Sequence, residues 1–117
     1  MKIKLLVMFF MLAVFSLNAL ASDKNGSSSD PLVIIKKMKF IPQEITIKRG
    51  QKLRWENREK RQYHSVWFEA LGEEEPDDYM FPDDESYAYT REFKKTGTFP
   101  YRCGPHPEMT GTVRVID

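Results

Sequence analysis

The chain has 117 residues, of which 30% are charged, and its formal net charge is +1 at pH 7. A total so close to zero excludes a strongly basic nucleic-acid binder and a strongly acidic protein. The single cysteine excludes an internal disulfide, and the length allows one small domain with one hydrophobic core.

Residues 1–21 have the features of a cleavable export signal. Two lysines precede an apolar run over residues 5–17, and the small-x-small triplet Ala-Leu-Ala follows at residues 19–21. The alternative is an uncleaved anchor, but the run is shorter than the roughly 20 apolar residues that a membrane span needs. We therefore predict cleavage after residue 21, export to the periplasm and no stable membrane insertion. The exported chain then carries its lone thiol in an oxidising compartment.

The next nine residues, 22–30, are polar and rich in serine, which predicts a flexible spacer. From residue 31 to residue 117, short apolar runs with period-two alternation are separated by turn residues. The predicted strands are LVIIKKMKF, EITIKRG, KLRWEN, HSVWF, YAYTREF, GTFPYRC and TVRVI. No stretch sustains a helical period, except for a turn or two near residues 69–75. Seven to eight short strands in one small domain predict an all-β Greek-key sandwich.

The charges are separated along the chain. Residues 36–61 hold ten Lys/Arg and three acidic residues, whereas residues 69–85 hold nine Asp/Glu and no Lys or Arg. A solvated surface with an acidic loop is one interpretation. A dipolar molecule that orients itself toward a partner is the other, and the separation of the blocks keeps both open.

Residues 101–109, YRCGPHPEM, bring the only cysteine, one of the two histidines and a methionine together. Two histidines, one cysteine and a weak axial methionine form the ligand set of a type 1 copper site. We therefore predict that His64, Cys103, His106 and Met109 bind one copper ion that alternates between Cu(I) and Cu(II). Prolines on both sides of the loop histidine restrict the backbone before metal binds.

The segment YRCGPHPEMTGTVRVI resembles the C-terminal part of the cupredoxins, the type 1 blue copper proteins. Its C-x-x-H-x-x-M spacing is most similar to that of the amicyanin-like members of the family. The members that resemble pseudoazurin and plastocyanin come after them in similarity. Upstream, FIPQEITIKRGQKLRWEN followed by HSVWF is similar to the cupredoxin run that leads to the first ligand histidine. The resemblance covers residues 33–116 and implies a Greek-key sandwich that shuttles single electrons.

The resemblance also implies how partners are met. His106 is then the electron port, ringed by Pro42, Pro105 and Pro107, and the protein is a monomer that binds no nucleic acid. The expected partners are periplasmic redox proteins, such as a c-type cytochrome or a copper- or quinone-containing enzyme. The basic residues of the loop before His64 are expected near the copper end, and residues 69–85 are interpreted as an acidic insertion.

Three positions depart from the family pattern. Ser65 replaces the asparagine whose side chain would tie the two ligand loops together, Gly104 takes a place often held by threonine, and Glu108 replaces an apolar residue. These departures leave the partner open.

A copper protein for delivery or homeostasis is the alternative function. It would use the same ligands without cycling the redox state. An enzyme is not expected, because the chain has no further histidines to hold a catalytic copper.

Overall fold

A computed structural model describes residues 30–117. The predicted export signal, residues 1–21, and the predicted spacer up to residue 29 lie outside the described residues. The described part contains nine strands and one short 3-10 turn, Glu69–Leu71, with no α-helix. The strands are β1 (Leu32–Lys36), β2 (Lys39–Ile41), β3 (Glu44–Lys48), β4 (Lys52–Asn57), β5 (His64–Phe68), β6 (Glu73–Met80), β7 (Ala88–Glu92), β8 (Gly97–Arg102) and β9 (Thr110–Ile116).

The strands form two sheets that pack as a sandwich. One sheet has four strands in the order β2-β1-β4-β7, and the other has five in the order β3-β9-β8-β5-β6. Both sheets are mixed, since β1 pairs in parallel with β4 and β3 pairs in parallel with β9. The predicted all-β sandwich is confirmed. Within residues 30–117, no helix reaches the length and apolar character that crossing a bilayer requires.

Two predicted elements differ from the structure. The first predicted strand is a hairpin, because Lys37 and Met38 adopt left-handed backbone conformations with φ of 52° and 58° and reverse the chain between β1 and β2. The predicted helical turns near residues 69–75 reduce to the single 3-10 turn. Much of the acidic segment then continues as β6, which pairs with β5 at the edge of the five-stranded sheet.

The core lies between the sheets and is centred on Trp55. Its ring stacks on Tyr89, with 5.7 Å between centroids, and meets Tyr101 edge-on at the same distance. Its indole Nε1 donates a hydrogen bond of 3.2 Å to the Tyr101 hydroxyl. Gly111 makes room for this tyrosine, because a Cβ at position 111 would overlap the ring. The aromatic core thus anchors β8 and β9, the two strands that flank the C-terminal loop.

Candidate metal centre

The predicted ligands sit at one end of the sandwich because β5 and β8 are neighbours in the same sheet. His64 is the first residue of β5, and Cys103 directly follows the last residue of β8. The two strands are in register at Trp67 and Arg102. His106 and Met109 follow on the loop that connects β8 to β9. Folding therefore joins segments that are 39 residues apart along the chain.

Three donor atoms converge at this end. One ligand atom each from His64, Cys103 and His106 lies within 4.8 Å of the others. The Cys103 Sγ is 3.6 Å from Nδ1 of His64 and 3.5 Å from Nδ1 of His106. Donors bound to one ion at about 2.0–2.3 Å lie roughly 3.3–4 Å apart, so these separations fit a shared metal.

The loop that carries the other ligands is closed by its own backbone. The Cys103 amide donates to the Met109 carbonyl at 2.9 Å, and the Met109 amide donates to the His106 carbonyl at 3.0 Å. Met109 is buried at the end of this loop. The loop therefore holds the cysteine, histidine and methionine in one small turn.

Arg102 holds the same loop from outside. Its guanidinium donates to the carbonyls of Cys103 and Gly104, at 3.1 and 3.2 Å, and lies 4.1 Å from the centroid of the Trp67 ring. It also forms an ion pair with Glu69. These contacts fix the beginning of the ligand loop against β5.

Burial differs among the predicted ligands. His64 and Cys103 are fully buried, whereas His106 is half-buried and reaches the surface. Burial and the neighbouring His106 lower the pKa of His64, and Glu59 opposes this shift. A neutral imidazole keeps a nitrogen lone pair free for a metal.

A polar network lies behind the ring of His64. Its Nε2 lies 3.4 Å from Oε1 of Glu59, and that oxygen accepts a 2.6 Å hydrogen bond from the Met38 amide. The Asn57 side chain holds the loop in turn, since its Oδ1 accepts from the Glu59 amide at 3.0 Å. Its Nδ2 donates to the carbonyls of Gln62 and Met80, both at 2.8 Å. The Glu59 carboxylate therefore lies near the His64 nitrogen that points away from the sulfur, and within residues 30–117 this buried Nε2 has no hydrogen-bond partner.

The surroundings of the sulfur come from β5, from β6 and from the ligand loop itself. The Ser65 amide donates to Cys103 Sγ at 3.4 Å. Burial raises the pKa of the Cys103 thiol, backbone hydrogen bonds from Ser65 and His106 oppose the rise, and the charge of Glu74 adds to it. Because burial disfavours the charged thiolate, a bound metal cation would supply the positive charge that stabilises it.

The donor set fits copper. Two imidazole nitrogens and one sulfur converge, with a methionine at the end of the same loop, and this mixture of borderline and soft donors suits both copper oxidation states. Methionine is not among the usual zinc ligands. These four residues are the ones that would hold the ion.

Three aromatic residues that the sequence interpretation missed form a cluster, and one of them, Tyr63, lies beside His106. The Tyr63 ring is 6.3 Å from that of His106, 5.3 Å from that of Tyr79 and 5.6 Å from that of Phe81. Tyr63 and Phe81 are 42% and 40% exposed. We call these three residues the aromatic group. Tyr79 and Phe81 are apolar exceptions within the acidic block, which is the one signal in the sequence that could have identified them.

Comparisons with known proteins point in one direction. A family model described as copper binding proteins of the plastocyanin/azurin family matches residues 32–116. Amicyanin from Paracoccus versutus is 39% identical over 90 residues, covering 74% of this chain and 66% of the relative. The chain thus spans just under two thirds of that relative's length.

Two further matches cover more of the related protein. Amicyanin-alpha from Methylorubrum extorquens is 32% identical over 112 residues, covering 94% of this chain and 92% of the relative. The solved structure of amicyanin from Paracoccus versutus has a TM-score of 0.67 at 33% identity, covering 76% of this chain and 83% of that one.

Proposed function

The chain belongs to the plastocyanin/azurin family of copper-binding proteins, and we propose that it carries single electrons between redox proteins of the periplasm. In this proposal, a single type 1 copper ion is held by His64, Cys103, His106 and Met109. The matched relatives are named amicyanins, which supports placing the chain among the amicyanin-like members of the family.

One observation carries the proposal: the only cysteine has an imidazole nitrogen of each histidine at 3.5–3.6 Å. No other arrangement of three His, Cys, Asp or Glu side chains within residues 30–117 meets the same distance condition. Every histidine of the protein is therefore committed to one site.

A copper ion bound there supplies a one-electron couple between Cu(II) and Cu(I). The protein's task is to keep the ligands in nearly one geometry for both states, because movement slows electron transfer. The closed loop backbone and the strand positions of His64 and Cys103 restrict that movement. Full burial of these two side chains excludes water, which would otherwise compete as a ligand.

His106 provides the route to the surface. It is the only half-buried member of the three converging ligands, and the aromatic group lies beside it. A flat aromatic surface around the exposed edge of His106 allows a partner to approach closely without removing water from charged groups. We propose this end of the sandwich as the docking face, with the aromatic group adding to the prolines predicted from the sequence.

Charge supports recognition of partners at longer range. Lys60 and Arg61 are exposed in the loop before His64, and Arg58 is half-exposed and paired with Glu56. The acidic residues of β6 lie at an open sheet edge. We propose that these two groups steer a c-type cytochrome or a copper- or quinone-containing enzyme, with the basic loop nearest the copper end.

We further propose that residues 1–21 are a signal peptide that is removed on export, and that residues 22–30 are a spacer. The function needs no catalytic residue, since the electron enters and leaves through the same half-exposed ligand. The alternative of copper delivery uses the same side chains, so the two functions are separated by the redox behaviour of the site.

The test is a visible spectrum and a voltammogram of the copper-loaded protein. The proposal expects an intense thiolate-to-copper absorption band and a reversible one-electron couple. A protein that binds Cu(I) tightly but shows neither property would instead favour copper delivery.

A further inference from the structure

A chain of hydrogen bonds connects the edge strand β6 to the residue that follows Cys103. The Ser65 hydroxyl donates to Oε1 of Glu74 at 2.9 Å and accepts from the Gly104 amide at 2.9 Å. Ser65 is fully buried and Glu74 is half-buried. The carboxylate therefore reaches inward from the edge strand and fixes the hydroxyl that holds the ligand loop.

Gly104 makes this contact possible. A Cβ at position 104 would overlap Oε1 of Glu74 and lie 2.9 Å from Oγ of Ser65. The backbone of this glycine is not in the left-handed region, so what the position requires is space. The carboxylate of Glu74 occupies that space, which explains why serine and glycine appear together here.

Within the described residues 30–117, Glu74 forms no ion pair. Its neighbours Glu69 and Glu73 pair with Arg102 and Arg91. An unpaired negative charge near the sulfur stabilises the more positive state of whatever is bound there. Geometry places the carboxylate near the sulfur, because the residue whose hydroxyl donates to Glu74, Ser65, also donates its amide to Cys103 Sγ at 3.4 Å.

We propose that Glu74 is a positioning residue that ties β6 to the ligand loop through Ser65, and that its charge lowers the reduction potential of the copper site. Only the second half of this inference, the effect of the charge on the reduction potential, rests on the proposed function. The hydrogen-bonded tie exists in the chain itself and can be tested without metal.

The charge is tested with Glu74→Gln, which keeps an amide oxygen to accept the Ser65 hydrogen bond and removes the charge. The matched control is Glu75→Gln, the same substitution one residue along, where the side chain lies on the opposite face of the strand. Voltammetry of the copper-loaded proteins is expected to show a higher potential for Glu74→Gln than for the control. An equal shift in both variants, or none in Glu74→Gln, overturns the role of the charge.

The tie is tested in the metal-free protein by a double-mutant cycle of Ser65→Ala and Glu74→Ala. Urea unfolding is expected to show that the double variant loses less stability than the two single losses added together. Additive losses overturn the tie. If the copper-loaded protein has no reversible couple while the cycle is non-additive, the proposed electron carrier and the role of the charge both fail, and the tie is supported.

Discussion

The two halves of the candidate metal centre are built in different ways. On the loop half, residues 103–109 supply three of the four predicted ligands, and two backbone hydrogen bonds close the loop. On the strand half, His64 stands alone at the start of β5 and relies on side chains from other segments, among them Asn57 and Glu59. The loop half is therefore closed by local hydrogen bonds and adds one distant tie to Ser65, whereas the strand half is specified by tertiary packing throughout.

The two halves of the metal centre should therefore respond differently to substitution. A change on the loop half should alter the bound metal while leaving the fold intact, because the loop lies between two strands that the aromatic core holds independently. A change on the strand half should cost stability as well, because its side chains connect segments that are far apart in the chain. Substitutions in each half can test whether metal binding and stability respond separately.

The largest effect is expected for Cys103→Ser on the loop half. An alcohol oxygen is a hard donor and cannot replace the thiolate, so the intense visible absorption of the copper-loaded protein should disappear. Absorption spectra test this loss, and circular dichroism of the metal-free variant should match the parent protein. Retention of the colour would show that the sulfur is not a copper ligand.

A second prediction compares the two histidines. In His106→Gly, added imidazole should restore the copper spectrum, because this ligand is half-buried and its position opens to solvent. In His64→Gly, the same imidazole should restore much less, since His64 is fully buried. Titration with imidazole followed by absorption measures both, and equal rescue of the two variants would contradict the difference in access.

The third prediction concerns the strand half. Asn57 is buried and makes three hydrogen bonds through its side chain, so Asn57→Ala removes the side-chain partner of three backbone groups, of which the Met80 carbonyl is buried. We expect a loss of about 2–4 kcal/mol in the free energy of unfolding of the metal-free protein. Urea denaturation measures it, with Thr46→Ala at an exposed position of β3 as the control. A loss no larger than that of the control would show that tertiary hydrogen bonding does not support this half.

The smallest effect is expected at the acidic edge strand. Asp77 and Asp78 are exposed, so replacing both with asparagine should leave the spectrum unchanged. At low ionic strength, electron transfer to a basic c-type cytochrome should slow by about twofold to fivefold, and the difference should vanish at high salt. Stopped-flow kinetics test this, with Glu44→Gln on β3 as the control for a single lost charge. An unchanged salt dependence would contradict steering by β6.

The sequence predicted the loop half far better than the strand half. Spacing alone brought Cys103, His106 and Met109 together, because residues so close in the chain have little freedom to lie elsewhere. The alternation within KLRWEN puts Leu53 and Trp55 on one face of the predicted strand, and both are fully buried. Local pattern is sufficient where the contacts themselves are local.

The surroundings of His64 could not be predicted in the same way. Glu59 and Glu74 read as ordinary solvated charges within a basic and an acidic stretch, and only pairing of β5 with β6 brings the second of them to Ser65. The hairpin at Lys37 and Met38 was missed because neither residue type favours a left-handed backbone. Contacts that depend on strand order leave no periodic signal in the sequence.

The hydrogen bonds that close residues 103–109 run from main chain to main chain, so they do not depend on every side chain within the loop. Pro107 and Glu108 are exposed in its middle. Over evolutionary time, mutation at Glu108 can reshape what a neighbouring molecule meets while the hydrogen bonds that close the loop are kept. If the proposed function holds, a lineage that carries this turn can change its redox partner by drift at the rim.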